Sequence, residues 1–178
     1  DLPALSAEDI RDLPFVAGHA DMIGLSFTNT PDDVRELRRR LEDLGADKVG
    51  VVVKIETKRG FANLPGILIE ALGFPACGVM IARGDLAAEC GFERMAELQE
   101  EILWICEAAH VPVVWATQVL EGLTKRGHAT RAEITDAAMG QSAECVMLNK
   151  GPYVTDALQT LNDILQRMQD HQTKKRSM

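Results

Sequence analysis

The chain has 178 residues, of which 46% are hydrophobic and 26% charged, which is ordinary composition for a globular domain with a substantial core. Its 19 basic and 27 acidic residues give a net charge of −8, which argues against nucleic acid or an anionic membrane as a partner. The four scattered cysteines form no CxxC pair, and no apolar run approaches the roughly 18 residues of a membrane helix. We therefore expect a reduced, cytoplasmic protein with one domain over residues 1–178 and a polar tail over residues 172–178.

Apolar strands and loops alternate with helices along the chain. A first short helix is predicted to be capped by Ser6 and to end near Leu13, because Pro14 interferes with its continuation. The strand ends are predicted near Phe27, Lys54, Asp85, Thr117 and Asn149. Their spacing of roughly 30 residues is typical of a parallel βα unit.

The helices between these strands are predicted from their caps and apolar stripes. Pro31 opens the first, with Val34, Leu37, Leu41 and Leu44 facing inward and Arg38, Arg39 and Arg40 in solvent. Later helices are predicted at residues 64–72, 93–109, 131–139 and 154–171. Thr130 and Glu133 form a capping box, in which Glu133 is expected to bind backbone and not substrate.

Repeated βα units form either an open doubly wound sheet or part of a (β/α) barrel. No GxGxxG or GxxxxGK[ST] phosphate loop occurs, which argues against the classical nucleotide-binding folds. We predict an α/β fold: a partial (β/α)₈ TIM barrel of about five parallel βα units.

Three of the predicted strands end in polar residues that could meet at one mouth. Lys54 and Glu56 share one face of a strand, where buried charge requires a partner or a ligand. Arg83-Gly84-Asp85 and Thr117 follow the next two strands. Singly, such motifs are more often a structural ion pair, a helix cap and a loop start. Together, Glu56 and Asp85 suit a hard cation such as Mg²⁺, with Lys54 beside it for a phosphoryl group or an enolate.

Four motifs in order carry a resemblance to a known family. Lys54-Ile55-Glu56, the segment 81–86, the segment 116–121 and Thr130-Arg131-Ala132-Glu133 resemble consecutive strand-end motifs of pyruvate kinase, in family order and spacing. The resemblance extends over residues 26–148 and implies the fourth to eighth strands of that family's barrel.

The resemblance also implies roles for individual residues. Lys54 would stabilise the transferring phosphoryl group, while Glu56 and Asp85 would hold Mg²⁺ or Mn²⁺. The backbone amides around Arg83, Gly84 and Asp85 would meet the substrate carboxylate. Thr117 would contact that carboxylate and lie near the proton delivered to enolpyruvate. The implied substrates are phosphoenolpyruvate or pyruvate and ADP or ATP; K⁺ is a further cofactor whose expected ligands are not in this chain.

The chain also departs from the family pattern. Thr28-Asn29 replaces the usual Ile-Arg, Cys90-Gly91 replaces Ile-Pro, and residues 149–153 replace Ser-Gly-Glu-Thr. The first three strands, the lid domain and the regulatory domain of the family are not in this sequence. We therefore expect an isolated chain that is inactive or incomplete, and that forms a homo-oligomer or pairs with the missing N-terminal half of the barrel. The alternatives are a metal-dependent enolate lyase or aldolase, and a non-catalytic metabolite-binding or assembly module.

Overall fold

A computed structural model describes residues 3–176 of the chain, without the side chains of residues 172 and 174–176. The chain divides into two compact units, Asp1–Val113 and Val114–Met178. No helix among the described residues is both long and apolar enough to cross a membrane.

The first unit contains three strands and six α-helices among its described residues. Strand β1 pairs in parallel with β2, and β2 pairs in parallel with β3. Alternate strand residues such as Val51, Val53 and Val79 are fully buried. The elements are α1 (Ala7–Ala17), β1 (Met22–Leu25), α2 (Pro31–Asp43), β2 (Gly50–Ile55), α3 (Lys58–Ala62), α4 (Leu64–Ala71), β3 (Cys77–Ala82), α5 (Arg83–Cys90) and α6 (Met95–Ala108).

The second unit continues the alternation of strands and helices. Strand β4 (Val113–Ala116) begins at the last residue of the first unit and pairs in parallel with β5 (Cys145–Val146). Helices α7 (Glu121–Arg126) and α8 (Arg131–Met139) both contact the long helix α9 (Val154–Arg176). With these strands, the predicted α/β fold of five parallel strand–helix units is confirmed.

Helix α1 begins as predicted but does not end at Leu13. The Ser6 hydroxyl accepts from the Asp9 amide, and the Asp9 carboxylate accepts from the Ser6 amide. The helix then continues through Pro14 to Ala17, so the predicted end is wrong. Proline removes one backbone donor, and the last turn is closed beyond it by hydrogen bonds to the Phe15 and Val16 carbonyls.

Helix α2 buries most of its predicted stripe. Val34, Leu37 and Leu41 are buried, whereas Leu44 lies beyond the last helical residue and is 44% exposed. The prediction of three solvated arginines is wrong for Arg38 and Arg40, whose side chains are half-buried. Arg38 also links two helices. Its guanidinium binds the carboxylate of Glu70, so that an ion pair links α2 to α4.

Several shorter features also differ from the sequence prediction. Helices α3 and α7 lie outside the predicted helices, and α5 begins at Arg83 directly after β3. The final helix reaches Arg176, so the predicted polar tail is helical as far as that residue. Residues 177 and 178 lie outside the described part of the chain. Strand β5 ends at Val146, three residues before the predicted end near Asn149.

Candidate functional site

An ion pair lies at the carboxyl end of β2, in the first unit. Lys54 is the fifth residue of that strand and Glu56 follows its last residue, so both side chains are on one face. The Lys54 ammonium nitrogen lies 2.9 Å from Glu56 Oε1. The Glu56 side chain is only 3% exposed and that of Lys54 26% exposed. The carboxylate is therefore buried against its own counter-charge, which offsets the cost of removing it from water.

The end of β1 supports this pair from the side. Lys54 Nζ donates to Ser26 Oγ over 2.9 Å, and the Phe27 amide donates to Glu56 Oε2. Phe27 has a φ of 49°, a left-handed conformation that is uncommon for a residue with a side chain. Because Leu25 pairs with Val53, the next residue Ser26 falls beside Lys54. Ser26 was not among the predicted site residues, because its place beside Lys54 depends on this register between strands and not on a local sequence pattern.

The loops after β1 and β2 are locked to each other. The Thr57 hydroxyl bonds to the Asn29 side-chain oxygen, and the Asn63 side chain donates to the Asn29 carbonyl over 2.8 Å. A Cβ atom on Gly60 would lie 2.4 Å from the Thr28 carbonyl oxygen, so only glycine permits this approach. Thr28 and Asn29 therefore hold together the loops that carry Phe27 and Glu56.

Arg83, Gly84 and Asp85 form the first turn of α5, directly after β3. Arg83 is buried, while Asp85 is exposed. Because β2 and β3 pair in parallel with Ile55 opposite Ile81, Glu56 and Asp85 follow adjacent strands at the same sheet edge. First-turn amides of a helix carry partial positive charge, which suits a carboxylate ligand.

Glu56 and Asp85 are the two carboxylates at this sheet edge that the sequence predicts as ligands of a divalent cation. No group of three or more His, Cys, Asp or Glu side chains among the described residues could hold a metal ion. Mg²⁺ is commonly bound through only one or two carboxylates, with water and substrate oxygens completing its shell. Both Glu56 oxygens already accept hydrogen bonds, but a carboxylate has further lone pairs. The chemistry of Glu56 and Asp85 thus fits that mode of binding.

Thr117 belongs to the second unit, immediately after β4. Its φ of 64° is left-handed, as are those of Gln118 at 56° and Leu120 at 47°. Left-handed residues with side chains are strained and cluster at functional sites. Helix α7 follows this segment and α8 begins with the predicted capping box, in which the Glu133 carboxylate accepts from the Thr130 amide over 2.8 Å.

The chain was compared with known proteins. A family model described as "Pyruvate kinase, barrel domain" matches residues 1–157. A pyruvate kinase of Debaryomyces hansenii is 38% identical over 170 residues, which cover 92% of this chain and 32% of the relative. Pyruvate kinase 1 of Trypanosoma brucei brucei is 41% identical over 166 residues, which cover 89% of this chain and 32% of the relative. The chain thus spans about a third of the length of these relatives. The match over most of its length confirms the resemblance, and the chain belongs to the pyruvate kinase family as part of the barrel domain.

Proposed function

We propose that this chain contributes the phosphoryl-transfer site of a pyruvate kinase, which passes a phosphoryl group between phosphoenolpyruvate and ADP to give pyruvate and ATP. The observation that carries the proposal is the Lys54 ammonium, held between Glu56 and Ser26 at a strand end. The pyruvate kinases to which the chain is similar support the choice of substrates.

Lys54 is the residue proposed to act on the transferring group. Phosphoryl transfer depends mostly on positioning and on neutralising charge on the phosphoryl oxygens. Glu56 and Ser26 fix the Lys54 nitrogen before substrate arrives, so little reorganisation is needed when the negative charge shifts. Glu56 and Asp85 would hold Mg²⁺ or Mn²⁺, which when bound would neutralise further charge. K⁺ is proposed as a second ion, with no ligand assigned in this chain.

The remaining site residues are proposed to handle the carboxylate and the proton. The first-turn amides at Arg83, Gly84 and Asp85 would bind the substrate carboxylate through the partial charge of the α5 terminus. Thr117 would contact the same carboxylate and lie near the proton that enolpyruvate takes up. We further propose that residues 1–178 belong to one barrel domain and that the protein acts in the cytoplasm as an oligomer.

The test is pyruvate formation from phosphoenolpyruvate by the complete protein, with and without ADP and Mg²⁺. We expect turnover that requires both, and Lys54→Met should lower kcat by at least about 100-fold, the usual cost of one transition-state donor. Lys48→Met is the matched control, since Lys48 is an exposed lysine just before the amino end of the same strand.

Other outcomes would identify the alternatives. Pyruvate formed equally well without ADP would favour an enolate lyase and contradict the kinase proposal. No Mg²⁺-dependent binding of phosphoenolpyruvate at millimolar concentration, or binding unchanged by both Lys54→Ala and Glu56→Ala, would favour a non-catalytic module.

A further inference from the structure

The segment from Thr117 to Leu120 contains three left-handed residues that carry side chains, with φ values of 64°, 56° and 47° at Thr117, Gln118 and Leu120. Such conformations persist only where the surrounding structure over-determines them. Burial holds part of the segment, because Val119 and Leu120 are fully buried. The segment ends at helix α7, and a side chain of helix α8 binds the start of α7.

That side chain is Glu133. Glu133 Oε1 accepts from the Gly122 amide in the first turn of α7, and Oε2 accepts from the Thr130 amide at the start of α8. The half-buried carboxylate therefore joins the beginnings of two helices. Burial alone raises the pKa of Glu133, but the hydrogen bonds from Thr130 and Gly122 outweigh it and hold this pKa below its ordinary value.

A helix cap alone does not require glutamate at this position. The capping box of α1 has Asp9, which accepts from the Ser6 amide over 2.8 Å, and that of α2 has Asp33, which accepts from the Thr30 amide over 2.8 Å. Glu133 is one methylene longer than either aspartate. That methylene gives its carboxylate the reach to bind the Gly122 amide as well as its own cap.

The contact between α7 and this carboxylate is also close. A Cβ atom on Gly122 would lie 2.8 Å from both Glu133 oxygens and 2.7 Å from the Arg126 guanidinium. A side chain at residue 122 would therefore push Glu133 away from the Gly122 amide. The bond between the Gly122 amide and the Glu133 carboxylate therefore requires glycine at residue 122.

We propose that Glu133 is a positioning residue, whose carboxylate fixes the end of the left-handed Thr117–Leu120 segment and so holds Thr117 where it meets the substrate. The inference rests on the proposed role of Thr117 in the reaction. Glu133 itself touches backbone amides, as the capping box predicts, and acts on the reaction only through the segment it anchors.

The test is Glu133→Asp in the complete protein, because aspartate keeps the α8 cap and loses the reach to Gly122. We expect kcat to fall about tenfold or more, as for a small misplacement of a reacting group, with the thermal midpoint little changed. The Gly122 amide should exchange its hydrogen faster. The control is Asp9→Ala, which removes a cap residue of α1 and leaves the bond between Glu133 and Gly122 in place. It should leave kcat within about twofold of wild type. Unchanged kcat or unchanged Gly122 exchange in Glu133→Asp would overturn the inference.

A double-mutant cycle with Thr117→Ala separates this inference from the proposed function. If Glu133 acts through Thr117, adding Glu133→Asp to Thr117→Ala should lower kcat less than about twofold further. If Thr117→Ala lowers kcat and Glu133→Asp lowers it by the same factor in both backgrounds, the positioning role is wrong and the role of Thr117 stands. If Thr117→Ala leaves kcat unchanged, the proposed role of Thr117 is wrong, and the positioning role with it.

Discussion

Replacing Glu56 by glutamine tests how the site is held together. The Glu56 carboxylate binds the Lys54 ammonium with one oxygen and the Phe27 amide with the other. Glutamine has nearly the same shape and can still accept from Phe27 with its carbonyl oxygen. Its amide group then faces Lys54 with a donor instead of an acceptor, so the variant loses one contact and the negative charge.

The expected loss of stability follows from burial and exposure. A hydrogen bond to a charged group contributes about 1.5–3 kcal/mol, and breaking a fully buried ion pair costs about 3–5 kcal/mol. Because the Lys54 side chain is 26% exposed, water can solvate its ammonium group when the partner charge is gone. We therefore expect Glu56→Gln to lower the free energy of unfolding by about 2 kcal/mol.

Urea titration of the complete protein measures this loss, in a cycle with Lys54→Met. Removal of either partner breaks the same interaction, so the coupling energy should be about 1–2 kcal/mol. Asp43→Asn is the matched control, since its pair with Arg39 is exposed on both sides and should contribute less than about 1 kcal/mol. A coupling energy under about 0.5 kcal/mol, the scatter of independent sites, would refute the reasoning.

Two further predictions concern the frame around the site. Gly60→Ala should lower the free energy of unfolding by about 1–3 kcal/mol in urea titration, because its Cβ would lie 2.4 Å from the Thr28 carbonyl oxygen; an unchanged value would contradict the close approach. The pKa of Glu70 lies below its ordinary 4.5, chiefly because Arg35 donates to its carboxylate and Arg38 adds a second contact. The stability from these contacts is complete above pH 4.5 and is lost as pH falls through the lowered pKa. Acid titration should therefore bring wild type and Glu70→Gln closer in stability below pH 4.5, and a gap independent of pH would contradict this.

The fold was predictable because the spacing of apolar residues within each segment indicates whether that segment is a strand or a helix. Apolar runs such as Val51–Val53 mark strands, and the segment at Pro31 carries both a cap and an apolar stripe. Short helices were not predictable in the same way, because α3 has only five residues and α7 six. Such helices are fixed by the tertiary contacts at their ends, as Glu133 illustrates for α7.

The site was predictable in part for the same reason. Lys54 and Glu56 are two residues apart on one strand, so their pairing follows from strand geometry alone. The contacts from Ser26 and Phe27 depend on the register between strands and on a left-handed residue, neither of which is written in a local pattern. The bridge from Glu133 to Gly122 depends likewise on how two helices approach each other.

The claim that Glu56 and Asp85 bind one divalent cation beside Lys54 is tested most directly with Mn²⁺, whose paramagnetic resonance reports free and bound ion. The complete protein is titrated with phosphoenolpyruvate present, as wild type, Glu56→Gln and Asp85→Asn, with Asp47→Asn as the control at an exposed site before the amino end of β2. We predict that each of the two site variants weakens Mn²⁺ binding by at least about tenfold and that the control does not. Changes to residues that only support a metal ligand already weaken metal binding by about tenfold or more. Wild-type affinity for Mn²⁺ in either site variant would contradict the shared site.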